Sequence, residues 1–134
     1  MSTLRTNALE GMDAKNSITI VAGAGNITTT NVQEGLTKVW CRWDTDSSHS
    51  IEDSFNVSSQ DDDAVGQTGI HTTNDFSGAT FCVTALGDDG EQVLFHRSAT
   101  GNSAGEIGIA NYNQDGNAFA DSDITHMSAH GDLA

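Results

Sequence analysis

Residues 32–63 read VQEGLTKVWCRWDTDSSHSIEDSFNVSSQDDD, and the polarity pattern of this stretch decides the fold. Val39, Cys41 and Trp43 alternate with Trp40 and Arg42. A period of two sends successive side chains to opposite faces of a strand. After the polar DTDSSHS a second strand pattern follows through Asp53-Ser54-Phe55-Asn56-Val57-Ser58-Ser59, and SSQDDDAVG then reads as a loop. With Val39, Cys41 and Trp43 turned to a core, Trp40 stands beside Arg42 on the other face. A large aromatic there lies under a covering segment such as the N-terminal arm, enters a contact with another subunit, or serves as a glycan-stacking platform.

Working outward, period two recurs at Ile18 and Ile20, at Phe81, Val83 and Ala85, at Val93 and Phe95, and at Ile107 and Ile109. The closing run has two candidate faces: Ile124, His126 and Ser128, or Thr125, Met127 and Ala129. Asx/Gly/Ser segments (GDDGE, ATGNSAGE, NQDGN, ADSD) separate these runs. Asp89-Gly90 and Asp115-Gly116 are hairpin signals. The spacing predicts an all-β chain, an antiparallel β-sandwich of jelly-roll or immunoglobulin-like kind. The absence of Pro agrees with a domain built of hydrogen-bonded ladder. Val39, Cys41, Trp43, Phe55, Val57, Phe81, Val83, Val93 and Phe95 are the expected core.

Residues 1–35 contain no aromatic residue and are rich in Thr, Asn, Gly and Ala. Leu4, Ala8, Leu9 and Met12 fall at helix-like spacings interrupted by Gly11, which suggests one helical turn, and Gly23-Ala24-Gly25 looks like a hinge. A boundary near Glu34-Gly35 therefore separates an extended N-terminal arm, residues 1–35, from a sandwich, residues 36–134. Ile18, Ile20 and Val21 are the arm's apolar groups for anchoring.

A chain of 134 residues fits one domain with a real core. No apolar run approaches the roughly 18 residues of a membrane span. The N-terminal MSTLRTNALEGMDAK lacks the apolar stretch of a secretory signal, so the chain is expected to start in the cytoplasm of the cell that makes it. Five Lys+Arg against 19 Asp+Glu give a net charge of −14. That surface repels phosphate backbones and anionic membranes, which excludes nucleic acid and membrane as expected partners. Cys41 and Cys82 both lie in apolar patterns outside any CxxC pair and read as two buried small hydrophobes; spacing does not decide whether they bridge. Without a signal peptide, the sequons at Asn26 and Asn56 read as chance matches.

The histidines, His49, His71, His96, His126 and His130, form no zinc spacing and no H-E-x-x-H; His126 and His130 read as polar residues of a strand. Asn111, Asn113 and Asp115 with Gly116 echo the first half of a calcium loop, but Ser122 replaces the closing Glu, and a hairpin turn is favoured. Asp61-Asp62-Asp63 and Asp88-Asp89 with Glu91 read as solvated loops that a symmetry axis would let share a cation. Carboxylate pairs for glycoside chemistry are unspecific here, and no G-x-S-x-G elbow supports a Ser-His-Asp set. The chain reads as non-enzymatic, with no required cofactor and Ca2+ the one candidate ion.

Thr37-Lys38-Val39-Trp40-Cys41-Arg42-Trp43-Asp44 and Asp53-Ser54-Phe55-Asn56-Val57-Ser58-Ser59 resemble the A-K-A-W-V-N-F-N-G and D-S-Y-N-V-S-S motifs of small bacteriophage surface and tail-fibre-type β-domain proteins. The likeness continues weakly through Gly69-Ile70-His71-Thr72-Thr73 and Ala79-Thr80-Phe81-Cys82-Val83 to Gly131-Asp132. It implies a structural protein of a virion, commonly trimeric, with Trp40 and Arg42 as interface candidates and the arm contacting capsid or tail proteins. Read as complete from its Met, the chain lacks the repetitive shaft of a fibre, so a capsid decoration protein or head fibre fits equally. One rival is a host-surface glycan-binding module using Trp40, Trp43, Tyr112 and Phe119. The other is a calcium-dependent extracellular adhesion domain.

Overall fold

The computed structural model describes residues 6, 8, 18–21, 29–88, 92–97 and 102–134, and the chain divides after Leu36 into a first unit, Met1–Leu36, and a second, Thr37–Ala134. In the first, β1 (Thr19–Val21) pairs antiparallel with β2 (Thr29–Asn31), Ile20 opposite Thr30. One helical turn, α1 (Val32–Gly35), follows directly. The Val32 amide donates to the Ile18 carbonyl at 2.8 Å. The expected turn around Leu4, Leu9 and Met12 and the Gly23-Ala24-Gly25 hinge lie outside the described residues.

The second unit is an antiparallel β-sandwich. Its strands are β3 (Val39–Asp44), β4 (Ser50–Phe55), β5 (Val57–Ala64), β6 (Gln67–Thr72), β7 (Cys82–Gly87), β8 (Gln92–His96), β9 (Glu106–Asn113), β10 (Ala118–Phe119) and β11 (Thr125–His130). The first sheet runs β4-β3-β11-β7. In the second, β9 takes β6 on one edge and β8 on the other, and β5 lies outside β6. Because β8 already covers Ile109–Asn113, the short β10, opposite Tyr112 and Asn113, continues the edge that β6 occupies.

Asn56 lets one strand serve both sheets. It separates β4 from β5 with φ 59°, in the left-handed region that Asn tolerates better than most residues. Its amide nitrogen donates to the carbonyls of Lys38 (3.1 Å) and Asn74 (3.0 Å), and its Oδ1 accepts from the Asn74 backbone amide (2.8 Å) and side chain (3.0 Å). A bend that would leave backbone groups open is thereby closed by one side chain.

The core follows from strand phase. β3 turns Val39, Cys41 and Trp43 inward, and β11 adds Met127 and Ala129, so the closing run uses its Thr125, Met127, Ala129 face. Ile70 of β6 and Ile107 and Ile109 of β9 pack against them, joined by Phe76. Val57, Phe81 and Val83 are partly buried against this cluster.

Several expectations are corrected. Phe55, Val93 and Phe95 are exposed. Phe55 is the last residue before the corner and is paired with outward-facing Trp40. In β8 the phase sends Leu94, not its neighbours, to the core. SSQDDDAVG is largely strand β5 rather than loop; its carboxylates sit on a sheet edge, where charge discourages pairing with another chain. β7 and β8 do not form a hairpin ladder, because β7 pairs with β11 and β8 with β9. The Asp89-Gly90 signal lies outside the described residues.

The cysteines differ, and neither is bridged: Cys41 is buried and Cys82 exposed. Once Val83 and Ala85 turn inward, Cys82 must turn out. Burial, and then the charge of Asp53, push the Cys41 thiol up to about 12. A thiol reagent at neutral pH is therefore expected to modify one cysteine per native chain, at Cys82, and both after denaturation. Fast native modification of Cys41, read by peptide mass, would contradict this packing.

Candidate functional site

Two outward sheet faces carry the residues of interest. On the first sheet, Trp40 of β3 lies between Phe55 of β4 and Ser128 of β11, and Arg42 lies between Asp53 and His126. Trp40 is 37% exposed. Arg42 forms an ion pair with Glu52, the residue at the β-bulge where register shifts between Arg42 and Trp43. The two interface candidates of β3 thus share a face that mixes aromatic rings with charge. Ile18 and the β1 residues Ile20 and Val21 belong to the first unit.

On the second sheet, β8, β9 and β10 align Val93, Tyr112 and Phe119 in one row. Phe95 occupies the next row, opposite Ala110. The Phe119 ring lies 5.6 Å from Tyr112, edge to face, and 6.1 Å from Phe95. Phe95 and Phe119 remain 43% and 41% exposed, whereas Ala110 beneath is sealed at 1%. The Tyr112 hydroxyl donates to Asn117 Oδ1 at 2.8 Å, and Asn117, with φ 49°, stands in the turn before β10. Sequence reasoning named Tyr112 and Phe119 but placed Val93 and Phe95 in the core. The missed signal is the Val93-Leu94-Phe95 run, whose three apolar residues allow either phase. Trp43, the other aromatic named for glycan stacking, is 1% exposed and unavailable to a ligand.

The charged residues are organised by local hydrogen bonds. On edge strand β5, Asp61 meets His71 Nε2 at 2.8 Å, Asp62 stands 3.7 Å from His49 Nδ1, and Asp63 pairs with Arg97. At the β3–β4 turn the Asp44 carboxylate accepts from the hydroxyls of Ser47 and Ser48, each at 2.9 Å, and from the amides of Asp46 and Ser47. The hydroxyl bonds, from Ser47 and then Ser48, contribute most to holding its pKa down to about 2. Asp123 is pushed upward, first by the charge of Asp46 and then by desolvation and by Asp44 and Asp88.

Compared with family models, with curated proteins and with solved structures, the chain matches none.

The calcium-loop echo resolves into a hairpin turn. Asn111 is buried in β9 and donates to Gln92 Oε1 at 2.8 Å, and Asn113 Oδ1 accepts from the Gly116 amide at 2.7 Å. Among the described residues no group of three or more His, Cys, Asp or Glu side chains is placed to hold a metal. A cleft of about 670 Å3 opens beside β5 and β6, lined by Ser59, His71, Asp75, Ser103 and Glu106 among others. His71 is oriented there by Asp61, while the Ser58 hydroxyl donates to the Thr72 carbonyl and the Ser103 hydroxyl accepts from the Gly105 amide. Among the described residues no hydroxyl nucleophile is hydrogen-bonded to His71, the contact that nucleophilic activation needs.

Proposed function

We propose that this chain is a non-enzymatic structural protein of a bacteriophage virion, a β-sandwich displayed on the particle as a trimer and attached through residues 1–35. The supporting observation is where the phage-like motif residues lie. Val39, Cys41 and Trp43 line the core, and Asn56, at the centre of DSFNVSS, holds the corner between the sheets. These motif residues build the scaffold and include no reacting group. The acidic surface suits a component held at high local concentration, because net charge opposes aggregation.

Attachment through the arm gives a direct test. Residues 1–35 have too few large apolar side chains for an independent core; such segments gain order by lying along a partner or adding to its sheet. Removing residues 1–30 is expected to leave a soluble sandwich that no longer joins particles, read by mass spectrometry of purified virions. Incorporation of the truncated chain at the full-length level would overturn the anchoring role.

A further inference from the structure

We propose that copies of this chain meet through the outer face of the second sheet, at the patch formed by Val93, Phe95, Tyr112 and Phe119. The inference deepens the trimeric part of the proposed function, on which it rests, by naming the surface in contact. It moves that contact away from the face of Trp40.

Charge placement selects the surface. Two chains that each carry −14 approach only where carboxylates are sparse. Strands β8 and β10 contain no Asp, Glu, Lys or Arg, and β9 has a single acid, Glu106, at the end away from the rings. The other acids of this sheet's strands are Asp61, Asp62 and Asp63 of β5, and each faces a basic side chain: His71, His49 and, next to the end of β8, Arg97. Among the described acids, Asp115 stands in the turn between β9 and β10, and Asp121, which follows β10, is engaged by the Gly66 amide at 2.6 Å; beyond Phe95 the charge of Arg97 is matched by Asp63. The face of Trp40 differs, since burying it would desolvate Arg42, Glu52 and Asp53 together, and desolvating charge offsets what the rings contribute.

Size and composition agree with this choice. The four side chains leave roughly 250 Å2 of apolar surface exposed, taking about 200 Å2 for a whole aromatic side chain. A standard interface removes about 800 Å2 per partner, with a dry apolar centre and a polar rim. The patch fits such a centre, and Gln67, Asn113 and Asn117 supply an uncharged rim. Tyr and Phe exposed together, with one hydroxyl already oriented by Asn117, are the residue types that anchor contacts. Because Asp115 and Asp121 of neighbouring copies stay near one another, association should strengthen with salt as their repulsion is screened.

The test uses the full-length chain in sedimentation equilibrium at low and high salt. The expected result is a mass of two or three chains, tighter at high salt, with association weakened at least about thirty-fold by Phe95→Glu or Phe119→Glu and unchanged by Trp40→Glu. Circular dichroism confirms that each variant is folded. Hydroxyl-radical footprinting of the unmodified chain needs no variant: association should protect Phe95, Tyr112 and Phe119 and leave Trp40 and Phe55 reactive. A monomer at every concentration and salt overturns the proposal. So does dispersal by Trp40→Glu alone, or a monomer that binds neutral oligosaccharides through Phe95 and Phe119. A dimer supports the surface while contradicting the trimer, and loss of particle incorporation with an intact oligomer bears on attachment alone, so the two readings fail separately.

Discussion

Trp43→Ala is expected to remove about 3–5 kcal/mol of stability, a large share of the about 5–15 kcal/mol that holds a typical domain folded. The indole is 1% exposed and belongs to the cluster in which β3 and β11 meet Ile70, Ile107 and Ile109 across the sandwich. Truncation to a methyl group leaves a void that two hydrogen-bonded sheets cannot collapse to fill, so the lost transfer energy and the cavity add. The indole also carries a cost, because its Nε1–H is buried without a hydrogen-bond partner among the described residues. Trp43→Phe removes that unpaired donor, worth about 1–3 kcal/mol, and is expected to lose well under half as much as Trp43→Ala. Urea unfolding followed by Trp40 fluorescence and circular dichroism measures both. A loss below about 1 kcal/mol for Trp43→Ala would remove the indole from the core.

That prediction rests on the part of the fold most legible in the sequence. Along Val39–Trp43 polar and apolar residues alternate with one phase, and the structure uses that phase. Where three apolar residues run together, as at Val93-Leu94-Phe95, alternation fixes a strand but not its face. The choice came from pairing with β9, where Leu94 stands opposite Asn111 and Phe95 opposite Ala110, and that pairing is set by contacts distant in sequence. Phe76 was missed because it sits alone among turn residues, yet it stacks on Phe81 with centroids 4.7 Å apart and fills the core. Asp61–Asp63 read as loop on composition, because nothing local says that an edge strand tolerates three consecutive acids when His71, His49 and Arg97 face them from other strands and loops. The aromatic patch was only half legible for the same reason as the core: Tyr112 and Phe119 were visible as an aromatic pair, but Phe95 joins them only once β8 and β10 are known to flank β9.

Gly66→Ala is the second large loss expected, about 2–5 kcal/mol, and it tests how the second sheet is closed. Gly66 turns β5 into β6 with φ 65°, a conformation that costs an L-residue about 1–2 kcal/mol. Space adds to the strain. A Cβ at this position would stand 2.6 Å from the Ala120 nitrogen, 2.6 Å from the Asn111 carbonyl oxygen and 2.8 Å from the Ala120 carbonyl oxygen. All three are backbone atoms that cannot rotate away, and overpacking of this kind costs about 1–3 kcal/mol more. The same backbone is fastened around the glycine. The Asn111 amide donates to the Gly66 carbonyl at 2.8 Å, the Ala120 amide donates to the Asn111 carbonyl at 3.2 Å, and the Gly66 amide donates to Asp121 at 2.6 Å. Pushing Gly66 out therefore separates the β5–β6 turn from β9 and from the segment that follows β10, and it loosens the seat of Phe119. Gly78→Ala is the control, because a Cβ there meets nothing nearer than the Thr80 hydroxyl at 4.0 Å, and it is expected to stay within about 0.5 kcal/mol of the unmodified chain. Thermal and urea unfolding of the two variants, with hydrogen exchange at Asn111 and Ala120, decides the matter. Equal stability of Gly66→Ala and Gly78→Ala would mean that the turn does not approach β9 as closely as described.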